Sequence, residues 1–144
     1  MKALRIDGYG GSEALEIVEV TCPALGSSDV LVEVHAASVN PIDWKIREGY
    51  MKSFVEIPMP HIMGRDVSGV VVDKGGDVKN LSVGDAVFGF ATADRDGTHA
   101  EYVAINSTLL AIKPDRIDHV DMASLPIAAL SAYAGLVTHG NLAE

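Results

Sequence analysis

One cysteine in 144 residues, Cys22, leaves no partner for an internal disulfide and too few thiols for a cysteine-rich structural zinc lobe. A lone thiol suits a reducing compartment. No basic-then-apolar leader precedes the alternating Lys2-Ala3-Leu4-Arg5-Ile6, so the cytoplasm is the expected location. Long apolar runs are missing as well. Nothing approaches the roughly 20 consecutive apolar residues that span a bilayer, which excludes a membrane helix. Positive charge is scarce: 11 Lys and Arg face 20 Asp and Glu, a formal net charge of −9, and the cations are scattered. Nucleic acid and anionic membranes are therefore not expected as partners. The imbalance leaves an anionic cofactor open, because backbone amides and one or two local cations suffice to hold phosphates.

A glycine-rich strand-to-helix turn of the G-x-G-x-x-G type, the usual cradle of a dinucleotide pyrophosphate, is also absent. Gly8-Tyr9-Gly10-Gly11 comes nearest, but Ser12-Glu13 follows rather than a buried helix, and the run reads as a hairpin turn. The five histidines, His35, His61, His99, His119 and His139, include no i, i+4 pair and have no cysteine beside them, so no metal site is expected. Glu13, Glu16 and Glu19 alternate as the wet face of a first strand pair, not as a hydrolytic carboxylate pair.

What is present is a one-domain length with an ordinary soluble composition, 48% hydrophobic and 22% charged. Val-, Ile- and Leu-rich runs at 15–20, 29–37, 66–73, 86–90, 99–105 and 109–112 read as strands, the first two as an antiparallel pair across the turn-forming run at 22–28. Pro41 stands at a natural first helical position, and a short helix is expected from there to Gly49. Residues 118–124 and 127–137 are rich in Ala and Leu, with Pro126 placed to open the second helix. The expected class is mainly β with helices, α+β: a partly open β-barrel followed by C-terminal helices.

Four ordered segments carry a resemblance. They are Ala37-Ser38-Val39-Asn40-Pro41-Ile42-Asp43-Trp44; Met63-Gly64-Arg65-Asp66-Val67-Ser68-Gly69-Val70-Val71; Val83-Gly84-Asp85-Ala86-Val87-Phe88 with Gly97-Thr98-His99-Ala100-Glu101-Tyr102-Val103; and Leu125-Pro126-Ile127-Ala128-Ala129-Leu130-Ser131-Ala132-Tyr133. Together they resemble the GroES-like catalytic domain of the medium-chain dehydrogenase/reductase superfamily, in its zinc-free, quinone-oxidoreductase-like branch. Zinc alcohol dehydrogenases of the same fold have a cysteine and a Gly-His-Glu motif where this chain has Asn40 and Gly64-Arg65-Asp66. Asparagine and arginine are poor zinc ligands. The resemblance implies residues 1–124 as the substrate-side domain, and 125–144 as the start of a helix leading to a Rossmann domain outside this chain.

The same resemblance implies an NADPH-dependent reductase of quinones or α,β-unsaturated carbonyls, with the phosphate-binding site outside this chain, and possible homodimers of the full-length protein. Asn40 would lie beside nicotinamide and substrate, Asp43 would hold the loop, Trp44 would form cleft wall, and Ser131 would face the nicotinamide. Arg65 would join Asp66 in an ion pair at the vacated metal position. Each has a plainer reading: Asn40 as a helix cap, Trp44 as a core anchor, Arg65 with Asp66 as a structural pair, Ser131 bonded to its own backbone. His61 near Arg65 is either a cleft proton donor or a satisfied loop histidine. A stand-alone binding module without catalysis is the competing function; it would expose apolar surface on the last helix.

Overall fold

The alternating apolar residues pair into two antiparallel sheets, and that division sets the position of everything else. This is a computed structural model, and it describes residues 1–142. Strands β1 (Lys2–Ile6) and β2 (Glu16–Glu19) form the expected hairpin around the glycines at 8–11, in register from Lys2 opposite Glu19 to Arg5 opposite Glu16. Strand β4 (His61–Ile62) takes the other edge of β1. The larger sheet contains β3 (Asp29–Ala36), β5 (Asp66–Lys74), β6 (Ala86–Phe90), β7 (Tyr102–Asn106) and β8 (Leu110–Ile112), in the order β7-β3-β5-β6-β8.

The pairing expected between 15–20 and 29–37 does not form. β2 pairs with β1, while both edges of β3 are taken by β5 and β7. The run between them does not close as a hairpin turn; Asp29 instead makes a local turn with Gly26, accepting from its N–H at 3.1 Å while its own N–H donates to the Gly26 carbonyl at 3.1 Å. The strand expected to begin at His99 begins at Tyr102, because the preceding residues are tied elsewhere: Gly97 N–H donates to the Ile62 carbonyl and His99 N–H to the Met63 carbonyl, each at 2.8 Å. The sheets meet through a bridge between Ala3 and Ala100 and remain open, so the barrel character is that of two apposed sheets.

Period-two burial fills the large sheet with valine: Val30, Val32, Val67, Val71, Val87 and Val103 form one core. Burying each such side chain contributes about 1.5–3 kcal/mol. A second, smaller cluster joins Ile6, Ile46, Ile57 and Met63.

Helix α1 (Pro41–Arg47) lies over that second cluster. Helix α2 (His119–Ala123) is capped by the Asp118 carboxylate, which accepts from the Asp121 N–H at 2.8 Å. Helix α3 (Pro126–Tyr133) follows, and at Ala134–His139 its hydrogen bonds widen to the π register, so the helix read from sequence is continuous but not uniform. α3 is apolar on every side yet buries only Pro126. Leu130, Tyr133, Leu136 and Val137 are all exposed. Ala143 and Glu144, the last residues of the expected connector, lie outside the described residues. Among those described, no helix is long and apolar enough to cross a membrane.

Candidate active site

The site grows from the entry to α1. Asn40 is extended, with φ −114° and ψ 158°, and Pro41 presets the first helical turn. The Asp43 carboxylate reaches back to accept from the Asn40 N–H at 2.6 Å, the acidic half of a capping box. Ile42 and Ile46, one turn apart, face the smaller core, and Asp43 is buried as well. Trp44 is thrown to the other side and is 42% exposed, so it is not the core anchor of its plainer reading.

Gly49, with φ +80°, then closes the helix: its N–H donates to the Ile46 carbonyl and that of Tyr50 to the Lys45 carbonyl, each at 2.9 Å. This left-handed termination is possible because glycine lacks a Cβ. It brings Tyr50 edge-on to Trp44, with ring centroids 5.7 Å apart and planes at 86°.

The Asn40 side chain turns toward β5. Its Nδ2 donates to Asp66 Oδ2 at 2.8 Å and to Ser38 Oγ at 3.1 Å, and Ser38 Oγ in turn donates to Asp66 Oδ2 at 2.8 Å. The other carboxylate oxygen, Oδ1, accepts from the Ile127 N–H of α3 at 3.1 Å. Asn40 therefore adjoins the entry of α3. Ser131 lies one turn further along that helix, about 6 Å from Ile127 by helical rise, and is exposed. Asn40 and Asp43 are joined at the entry of α1, Asp66 ties Asn40 to the start of α3, and Trp44 stands apart on the exposed face of α1.

Arg65 does not join Asp66. The expected ion pair is absent: Gly64, at φ +93°, launches the strand so that the two neighbours project to opposite sides. A side chain at Gly64 would also strike the His99 ring and Thr98. The Arg65 guanidinium donates to the carbonyl of Thr92, to that of Arg95 at 3.4 Å, and to His61 Nε2 at 2.8 Å. Burial lowers the Arg65 pKa, with Asp43 the nearest opposing influence.

His61 is only 1% exposed, and desolvation together with the adjacent Arg65 charge pulls its pKa down to about 4. It is a neutral acceptor for arginine, the structural reading of this residue. Asp43 is shifted the opposite way: burial raises its pKa against the bond from Asn40, and its Oδ1 has no hydrogen-bond partner.

A family follows from comparison with known proteins. The alcohol dehydrogenase GroES-like domain matches residues 26–115. The chain belongs to that family. This GroES-like domain is 38% identical over 140 residues to a chloroplastic quinone oxidoreductase of Triphysaria versicolor, covering 96% of the chain and 43% of that protein. It is 39% identical over 144 residues to a chloroplastic NADPH-dependent alkenal/one oxidoreductase of Arabidopsis thaliana, covering 95% of the chain and 37% of that protein. A solved quinone oxidoreductase from Coxiella burnetii superposes with a TM-score of 0.86 at 35% identity, over 96% of this chain and 44% of that one. The GroES-like domain thus spans about two-fifths of the length of the relatives it matches.

The uncharged groups at hand for a nicotinamide ring are the half-exposed Asn40, the exposed hydroxyl of Ser131 and, separately, the Trp44–Tyr50 pair. The entry of α3 suits the nucleotide's phosphates poorly. The first-turn amide of Ile127 already serves the Asp66 carboxylate, whose charge would repel an anion there. Zinc is fitted no better at the positions where the family's metal ligands stand. Asn40 Nδ2 is engaged as a donor and Arg65 is a cation, while among the described residues no three His, Cys, Asp or Glu converge on a point.

Sequence reasoning missed Ser38 and His99 as members of this network. His99 Nε2 donates to the Ser38 carbonyl at 3.0 Å and fixes the approach to Asn40. One signal was available for the network: Asp66 and Ser68 are polar residues at alternate places in an otherwise apolar strand, where a buried hydrogen-bonded network is the usual reason.

Proposed function

We propose that this GroES-like domain is the substrate side of an NADPH-dependent oxidoreductase that reduces quinones or α,β-unsaturated carbonyls without zinc. Residues 1–124 form the catalytic domain in this reading, and 125–144 open the connector to a nucleotide-binding portion. The observation that supports it best is the joining of the half-exposed Asn40 to the entry of α3 through the Asp66 carboxylate. Relatives named as quinone and alkenal/one oxidoreductases supply the reaction class.

NADPH, when bound, supplies a hydride; the protein's part is to position and to exclude water. Quinones and enones are already electron-poor, so the chemistry needs no metal to polarise them. Trp44 and Tyr50, set edge-on, present an exposed aromatic corner against which a conjugated acceptor can rest. Asp43 fixes the Asn40 backbone, Asn40 and Ser131 orient polar groups at the ring edge, and Arg65, tied to the 92–95 loop, steadies the strand beneath. The proton that completes reduction of the acceptor oxygen comes from water at the open face. Asn40 and Arg65 occupy the positions of metal ligands with unsuitable chemistry, which is why the reading is zinc-independent. The exposed, free thiol of Cys22 suits the cytoplasm, and dimerisation belongs to the longer protein.

The test is a titration of NADPH into residues 1–144 and into the same chain extended by its nucleotide-binding portion, followed by nicotinamide fluorescence and by quinone reduction. The short chain is expected to be blind to NADPH and the long one to bind and turn over. Tight binding by the short chain would overturn the account of the phosphates. A longer protein that binds NADPH but reduces neither quinone nor enone would favour a binding module.

A further inference from the structure

Asp66 is buried completely, and among the described residues no cation lies within ion-pair distance of it. A buried carboxylate of this kind is tolerated only where hydrogen bonds replace its hydration. All of its side-chain partners donate: Ser38 Oγ and the Asn40 amide nitrogen to Oδ2, the Ile127 N–H to Oδ1. The Ile127 amide is one of the free donors in the first turn of α3, and α3 has no cap of its own, since Leu125 at its entry offers no side-chain acceptor. The cap is supplied instead by a residue 61 positions away in sequence.

The same bonds settle which way the Asn40 amide faces. Because Asp66 Oδ2 accepts, the Asn40 atom beside it is nitrogen, and both hydrogens of that nitrogen are consumed, by Asp66 at 2.8 Å and Ser38 at 3.1 Å. Only the carbonyl oxygen of the Asn40 side chain has capacity left.

We propose that Asp66 is a positioning residue that holds Asn40 as an acceptor-only group and couples its orientation to the seating of α3. Resting on the reductase reading above, this deepens it. Asn40 selects a ligand that offers a hydrogen-bond donor, such as a carboxamide NH2 or the hydroxyl of a reduced product. It does not stabilise a developing oxyanion. Movement of the connecting helix reaches the site through one carboxylate.

The experiment uses Ile127→Pro, which removes one N–H at a helical position where proline is tolerated, beside Asp66→Asn. In residues 1–144, the Asn40 side-chain NH2 pair is followed by 1H–15N NMR and hydrogen exchange. Ile127→Pro is expected to shift both Asn40 signals and to raise their exchange several-fold, although no atom of Asn40 or its partners has changed; Asp66→Asn should do the same and also release the Ile127 amide. Asn40 signals indifferent to Ile127→Pro would overturn the coupling, whether or not Asp66→Asn folds. In the extended protein, measured well below the melting temperature of the variant, kcat should fall about ten- to hundredfold for Ile127→Pro, as expected for a displaced reacting geometry. Unchanged kcat there would refute the positioning role. A parent protein without reductase activity would count against the reductase reading alone, since the NMR arm is independent of it.

Discussion

Replacing His61 with glutamine tests the electrostatics beneath the site. The imidazole is 1% exposed, accepts from Arg65 at 2.8 Å, and has its pKa held at about 4 against 6.5 unperturbed. Between those values the unfolded chain binds a proton that the folded chain refuses. The stability supplied by neutral His61 is therefore complete above pH 6.5 and is lost as pH falls through about 4. At about 1.36 kcal/mol per pH unit, the full interval corresponds to roughly 3 kcal/mol, most of which is already gone at pH 4.5. Glutamine keeps an acceptor for Arg65 but cannot titrate. Urea unfolding of both proteins from pH 7.5 to 4.5 isolates the effect, because every other titrating group is shared. The wild type should lose roughly 2–3 kcal/mol more than the variant over that range. Parallel pH profiles would refute the reasoning and imply that the histidine is protonated in the folded state.

Asp43 behaves with the opposite sign. Its raised pKa means that the folded chain keeps a proton the unfolded chain has released, so stability declines as pH climbs from about 3.8 through the folded value. Asp43→Asn should remove that decline while still accepting from the Asn40 N–H; a variant whose profile keeps the wild-type slope would count against it. Gly97→Ala should abolish folding or cost more than about 4 kcal/mol, because an added Cβ would lie 2.2–2.6 Å from the carbonyl oxygens of Gly64, Met63 and Ile62. A folded Gly97→Ala protein with an ordinary melting temperature would show that the 62–64 crossing is loose. Trp44→Ala should lower stability by about 1 kcal/mol, the value of an edge-on aromatic pair, and quinone turnover of the extended protein about tenfold. Activity that survives intact would remove Trp44 from the cleft wall.

Local signals in the sequence were faithful where the physics is local. Asn40-Pro41 and Gly49 delimit α1 because a cap, a preset φ and a left-handed stop act within a few residues, and Pro126 opens α3 for the same reason. The bounds of β6, Ala86–Phe90, were legible from the apolar run that opens after Gly84-Asp85. Partnership was not legible. Nothing within 15–20 or 29–37 says that the first pairs backward to β1 and the second outward to β5 and β7, since those contacts are decided by chain far away. Arg65 was misdirected because the resemblance implied a pair with Asp66 at the vacated metal position, whereas successive residues of an extended chain project to opposite sides. The hub role of Asp66 depends on partners 28, 26 and 61 positions away, a distance over which residue pattern carries no information without an alignment.

The division of the interior into two apolar blocks bears on which part of the domain moves most easily. The valine block is laced by five strands, while the block of Ile6, Ile46, Ile57 and Met63 lies under a two-turn helix and is ringed by half-buried neighbours that include Met51 and Met59. Breathing of a structure follows its least-buried unit, so α1 and the 50–60 loop should fluctuate while the large sheet stays shut. Unbranched thioethers refill the space they vacate in many shapes. One block is thus stiff and the other pliant, and the pliant one is the block that carries the entry of α1 with Asn40 and Trp44.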